Sequence, residues 1–213
     1  MSLAWQEIAR FGKKLVFSGL TSSRFGNISL LREGRIFITC TGSMLDELEE
    51  ELVVEVDLSH PCDQDKIASS ETCVHRAIYQ STINMATIHT HSPYAVALSL
   101  LERKIVEPLD SEGMVFLGTM PIVEGQIGTN ELAMAASSAL QTHKACIARG
   151  HGVFAAGNSL SDAYTAACMA EHSAQVRYLV KAYSRDKFIS LPSLQPRRSQ
   201  CRQRMQFFSS HLY

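Results

Sequence analysis

The sequence predicts an α/β domain. Helix-spaced apolar segments alternate with short runs rich in Val, Ile and Phe, and no repeat, low-complexity linker or composition break interrupts them. With 213 residues, 46 % of them apolar and 19 % charged, the chain is long enough to bury a substantial core and has the make-up of an ordinary globular protein. One domain over residues 1–190 is expected, followed by a C-terminal arginine-rich tail over 191–213.

The elements follow in order. Trp5, Ile8, Leu15 and Val16 recur at helical intervals, so residues 3 to about 19 predict an amphipathic helix that Gly19 ends. Strands are predicted at 27–30, 35–40 and 53–58, where β-branched and aromatic residues cluster. Residues 71–80 read as a helix and 85–91 as a strand. Ser92 and Pro93 then supply an N-cap and a first-turn proline for a helix to about Arg103. Thr129 is placed to cap a helix running to about Thr142. Residues 145–156 read as two strands around Gly150-His151-Gly152, a turn that presents His151. Ser159 and Asp162 have the spacing of a capping box and open a long helix to about Tyr183.

Composition also excludes some functions. A formal net charge of −1 argues against a non-specific nucleic-acid binder, which carries a strong basic excess. Any small anionic substrate must therefore be held locally. The six cysteines are scattered without a Cys-x-x-Cys pair and read as reduced and structural. The opening residues lack a basic stretch followed by an apolar one, and no segment reaches the ~18 continuous apolar residues of a membrane span, so a cytoplasmic protein with no membrane partner is expected.

Chemistry is concentrated in three histidines. Side chains two apart in a strand project to one side, so His89 and His91 can reach one ion. Such a pair is weak evidence alone, being more often a partly exposed strand face. His151 adds a third nitrogen, between glycines that let the backbone turn sharply and leave the ring uncrowded. Three histidines with an open position suit a catalytic site better than a structural one, which closes the tetrahedron with a fourth protein ligand. Glu71 is the carboxylate to set beside them, as a ligand in the empty enzyme or a general base when substrate replaces it. Ser69 and Ser70, at the helix start before Glu71, could hold a phosphate on hydroxyls and free backbone N–H groups. Asn27 after Gly26, and Thr41-Gly42-Ser43 after a strand, are similar small polar turns.

Taken in order and spacing, Gly26-Asn27-Ile28-Ser29, Thr41-Gly42-Ser43, Ser69-Ser70-Glu71, His89-Thr90-His91 and Gly150-His151-Gly152 resemble the class II aldolase/adducin-head family, over roughly residues 5 to 182. The likeness is greatest to its fuculose-phosphate aldolase branch. It implies a three-layer α/β domain with a central, mainly antiparallel sheet flanked by helices, assembled as a homotetramer with sites between subunits. It also implies zinc, or another divalent metal, on His89, His91 and His151, with Glu71 as both ligand and proton-transfer residue. The substrate phosphate would be held by Asn27, Thr41, Gly42, Ser69 and Ser70. The implied reaction is cleavage of a ketose 1-phosphate, a sugar phosphate like fuculose 1-phosphate, to dihydroxyacetone phosphate and an aldehyde. Related 4-epimerases carry Asp where this chain has Glu71, which favours the aldolase. The rivals are methylthioribulose-phosphate dehydratase, ribulose-phosphate 4-epimerase or decarboxylase chemistry on the same fold, and a non-catalytic adducin-like module.

One departure stands out. The fuculose-phosphate enzymes use a tyrosine after the His-x-His helix as proton donor, whereas this chain has no tyrosine between Tyr94 and Tyr164. Asp110 or Glu112 is the candidate substitute, and Tyr213 could reach a site if the tail folds over it. His75, one turn after Glu71, could support that carboxylate from behind, but an ordinary packed or surface histidine is the favoured reading. Glu171 and His172 read as subunit contact or solvent-facing, and Ala166 to Ala170 as small-residue helix packing.

Overall fold

The computed structural model describes residues 3–187. The chain divides into two units, Met1–Val180 and Lys181–Tyr213. Of the second, only helical residues 181–187 are described, so the tail expected from 191, with its arginines and Tyr213, lies outside the described residues, as does the boundary at 190. The sheet and the site belong to the first unit.

Eight strands form one sheet in the order β3-β2-β1-β4-β8-β7-β6-β5. They are β1 (Asn27–Arg32), β2 (Arg35–Thr39), β3 (Val53–Asp57), β4 (Ala86–Thr90), β5 (Ile105–Val106), β6 (Met120–Val123), β7 (Ala145–Ala148) and β8 (Gly152–Gly157). Every neighbouring pair is antiparallel except β6 with β7. The mainly antiparallel sheet is thus the one expected. The helices are α1 (Ala4–Phe17), α2 (Thr72–Ser81), α3 (Pro93–Leu101), α4 (Asn130–Ala139) and α5 (Leu160–Lys187), and a π-helical turn spans Gly113–Leu117.

Alternation along the central strands divides the core into two layers. Ile28 and Leu30 of β1, Ala86 and Ile88 of β4, and Val153 and Ala155 of β8 pack with Ile8 and Leu15 of α1, Leu98 of α3, and Ala163, Ala167 and Ala170 of α5. Phe154 and Ala156 point the other way and pack with Val74 and Ile78 of α2 and Leu132 and Ala136 of α4. Both β4 and β8 are buried along their whole length; β8 accordingly reads as an unbroken apolar run, whereas β4 buries the polar Thr87, His89 and Thr90. The alanines of α5 let that helix lie close on the sheet, as its small-residue run suggested.

Two findings differ from expectation. Residues 104–128, unassigned from sequence, hold β5, β6 and the π-helical turn. Glu171, expected at a contact or in solvent, accepts the backbone N–H groups of Tyr94 and Ala95 at 2.9 Å each, and so caps α3 from α5. Ser92 does hold the N-cap position, but its hydroxyl bonds to Thr90 and the Leu20 carbonyl instead. The charged carboxylate reaches two orphan donors of the first turn at once.

Candidate metal and anion site

The site is built where β1, β4 and β8 run side by side. Asn27 lies opposite His89, and His89 opposite Phe154, so all three project from the same face of the sheet, beneath the start of α2. The His89 ring stacks on Phe154 with centroids 4.2 Å apart. Its Nδ1 donates to the Val153 carbonyl at 3.0 Å; a carbonyl can only accept, so the proton is on Nδ1 and the Nε2 lone pair is free.

His91 falls one residue beyond β4, in the turn before Pro93, so strand alternation does not hold it as expected. Its ring still lies 5.0 Å from that of His89 and 4.9 Å from that of His151, and it stacks against Phe25. His151 sits in the tight turn between β7 and β8. Gly150 takes φ +67° there, and at Gly152 a Cβ would fall 2.1 Å from the Thr90 carbonyl oxygen and 2.8 Å from the His89 ring. The glycines thus do more than uncrowd the imidazole, because they let the turn close onto β4. One nitrogen from each of His89, His91 and His151 falls within 4.8 Å of the others, so among the described residues these three could hold a metal ion.

Glu71 is the N-cap residue of α2 and is 2 % exposed. Its Oε2 lies 3.2 Å from His89 Nε2 and accepts from Asn27 Nδ2 at 3.0 Å, while Oε1 lies 3.8 Å from His151 Nδ1. Burial pushes the Glu71 carboxyl up to about 7, with the Asn27 hydrogen bond acting in the opposite direction. Burial holds all three imidazoles below their ordinary range, His151 at about 4, with the neighbouring rings adding to the effect on His89 and His151.

These groups fit a divalent cation. His89 Nε2 faces both Glu71 Oε2 and His151 Nε2 at 3.2 Å, so lone pairs converge on one point. Glu71 Oε1 and His151 Nδ1 are buried without a hydrogen-bond partner. A proton between His89 Nε2 and His151 Nε2 would satisfy only that pair, whereas a cation takes both lone pairs and the Glu71 carboxylate together, with the one N–H of neutral His151 on Nδ1, toward Glu71 Oε1. Neutral imidazoles and a carboxylate are the ligand set of zinc-type ions.

A cleft of about 390 Å³ opens over this centre. Asn27, Thr41, Gly42, Ser69 and Ser70 all line it, together with Glu71, His91 and His151, so the two sequence-predicted constellations share one cavity. His89 lies beneath, fully buried. Arg24, Phe25 and Ile127 also line the cleft and were not found from sequence. The signal for Arg24 was its place two residues before Gly26, where a guanidinium can meet a phosphate held by the turn. Asp110 does not line the cleft; its Oδ1 accepts the Gly113 N–H at 2.6 Å and so serves the π-helical turn. Glu112 does not line it either. Neither reaches this chain's own site. His75, passed over in the sequence, is fully buried and hydrogen-bonded to Asn27.

Comparison with known proteins agrees with this geometry. Residues 6–178 match the Class II Aldolase and Adducin N-terminal domain. An L-fuculose phosphate aldolase of Methanococcus vannielii is 33 % identical over 75 % of this chain and 87 % of its own length. A 5-deoxy-D-ribulose 1-phosphate aldolase of Bacillus thuringiensis serovar kurstaki is 32 % identical over 86 % of this chain and 88 % of its own. Among solved structures, the L-fuculose-1-phosphate aldolase of Thermus thermophilus superposes with a TM-score of 0.81 at 33 % identity, covering 88 % of this chain and 98 % of that one. The chain belongs to the class II aldolase and adducin N-terminal domain family.

Proposed function

We propose that this chain is a zinc-dependent aldolase that cleaves a ketose 1-phosphate of the fuculose 1-phosphate type to dihydroxyacetone phosphate and an aldehyde. One observation carries the reading: a three-imidazole centre with a buried carboxylate opens into the same cleft as a set of small polar anion-binding residues and Arg24. The names of the relatives point the same way.

His89, His91 and His151 would hold the metal, with Glu71 as its fourth ligand before substrate arrives. When bound, the metal supplies Lewis-acid polarisation of the substrate carbonyl. The phosphate is anchored by Thr41 and Gly42 after β2, by Ser69 and Ser70 ahead of α2, and by the second amide N–H of Asn27. Arg24 supplies the positive charge. Anchoring the phosphate sets the distance from C1 to the reacting carbons and turns the step into one between pre-aligned groups. Glu71, the buried carboxylate beside the three imidazoles, takes the proton from the C4 hydroxyl. The C3–C4 bond electrons then pass to the carbonyl side, the aldehyde leaves, and a proton is returned to C3. Assembly as a homotetramer and work in the cytoplasm belong to the same reading. Leu100, Leu101, Val115 and Phe116 leave large apolar side chains on the surface for such an assembly to cover.

The test is release of dihydroxyacetone phosphate from a panel of ketose 1-phosphates (fuculose, rhamnulose, ribulose, 5-deoxyribulose and methylthioribulose), with and without chelator. Chelator-sensitive release is expected and names the aldehyde. No release from any of them, by protein shown to hold metal, sinks the aldolase in favour of dehydratase, epimerase or decarboxylase chemistry.

A further inference from the structure

Asn27 is held between Glu71 and His75. Its Nδ2 donates to Glu71 Oε2 at 3.0 Å, and its Oδ1 accepts from His75 Nε2 at 2.5 Å. Behind the imidazole, Ser29 Oγ lies 2.6 Å from His75 Nδ1 and 2.6 Å from the Tyr79 hydroxyl. All five side chains are buried, and Ser29 and His75 are fully so.

Hydrogen-bond chemistry fixes the direction of this chain. The ionised Glu71 carboxylate can only accept, so the amide end facing it is the N–H and the end facing His75 is the carbonyl, which takes its proton from Nε2. The two ring partners of His75 are an amide and a hydroxyl, both uncharged, so nothing in this buried pocket compensates an imidazolium; a neutral imidazole has one N–H, and Nδ1 accepts from the Ser29 hydroxyl. Ser29 has then spent its proton and accepts from Tyr79, whose hydroxyl burial keeps protonated. Every donor points toward Glu71. We propose that His75, backed by Ser29 and Tyr79, is a positioning residue that locks the Asn27 amide so that its N–H, and never its carbonyl, faces Glu71.

The lock matters because an asparagine amide has two ends of nearly the same shape and opposite polarity. Without a donor on Oδ1 the group can turn over, setting a carbonyl dipole against the carboxylate and withdrawing the second N–H from the cleft that Asn27 lines. His75 therefore bears on Glu71 and on anion binding through one bond. The catalytic consequence rests on the aldolase reading; the hydrogen-bond direction does not.

The test uses the full-length protein and two readouts. The first is the nitrogen-15 NMR signature of the histidine rings in chelator-treated protein, which reports protonation state and tautomer whatever the activity. His75 is expected as the Nε2–H tautomer and unchanged between pH 5 and 8, because nothing in its pocket compensates an imidazolium. A ring carrying its proton on Nδ1, or titrating in that range, overturns the proposal even if the enzyme proves to be an aldolase. The second is steady-state kinetics of His75→Leu and His75→Gln. His75→Leu is expected to lower kcat about tenfold, as for loss of one buried hydrogen bond, and to raise KM for the phosphate substrate. His75→Gln restores an N–H donor toward Asn27 and should recover most of both. Equal losses in the two variants, with metal content and thermal midpoint alike, would mean that His75 only fills space. Should His75→Leu fail to fold, Tyr79→Phe leaves the Ser29 hydroxyl free to donate to Nδ1 and should keep the Nε2–H tautomer and most of the turnover. A ring that moves its proton to Nδ1 in that variant overturns the proposal.

Discussion

Glu71→Gln should make the metal-free protein more stable, and only at high enough pH. The substitution keeps shape: with its oxygen in the Oε2 position glutamine still accepts from Asn27 Nδ2, and its NH2 takes the Oε1 position, 3.8 Å from His151 Nδ1. What it removes is a buried carboxylate whose pKa is raised from 4.5 to about 7. A group whose folded pKa lies above its unfolded one contributes stability that is whole below the unfolded pKa, here 4.5, and is lost as pH rises through the folded value of about 7. At ~1.4 kcal/mol per pKa unit, the wild type is penalised by about 1.4 kcal/mol at pH 5.5 and about 3 kcal/mol at pH 8. Glutamine escapes this, so the advantage of the variant should grow by about 2 kcal/mol between those pH values. Urea unfolding of both proteins in chelator measures it, and the histidine contributions common to both cancel in the difference. An advantage that is flat or shrinks with pH would refute the account of Glu71 as a carboxylate desolvated for function. The same variant, loaded with metal, should have lost nearly all turnover.

Two further substitutions probe the framework around that carboxylate. His91→Ala removes a half-buried ring with no backbone partner in the ladder; bound metal and activity should fall together while the far-ultraviolet circular dichroism is kept, and tight retention of metal would refute the ligand assignment. Gly152→Ala places a methyl 2.1 Å from the Thr90 carbonyl oxygen and 2.8 Å from the His89 ring, so β4 and β8 must part. A loss of about 3 kcal/mol in stability is expected from such overpacking, with weakened metal binding, and a variant as stable as wild type would show that the turn has slack the distances deny.

Much of the fold was legible because its strands and helices carry their own signal. The apolar run of β8, the capping residues Thr129 and Ser159, and the glycines around His151 are local features, and each predicted element appeared near its place. The stretch 104–128 was not legible, since β5 and β6 have two and four residues, β6 contains Pro121, and the π-helical turn has no simple period. In the site, spacing found the histidines and the polar turns. The spacing set His75 one turn after Glu71 but did not show its partner Asn27, 48 residues away, nor the partner of Glu171, Tyr94, 77 residues away. Partners so distant leave no local pattern, and only the register of β1 against β4 beneath α2 brings Asn27 to His75.

The pKa shifts within the site run in opposite directions and have one cause. Burial raises Glu71 and lowers His89, His91 and His151, because in each case the charged form is the one that water stabilised. The two consequences for metal binding are unequal. A neutral imidazole is already the ligating form, so the histidines are ready near neutral pH without giving up a proton. Glu71 is the member that must ionise, and Asn27, held by His75, is the neutral donor that favours its ionised form. A charged partner such as lysine in place of Asn27 would ionise Glu71 outright, but it would also cancel the negative charge that attracts a cation. An amide stabilises the carboxylate without cancelling it, and that is the reason for a neutral hydrogen-bond relay, and not an ion pair, behind a centre of this kind.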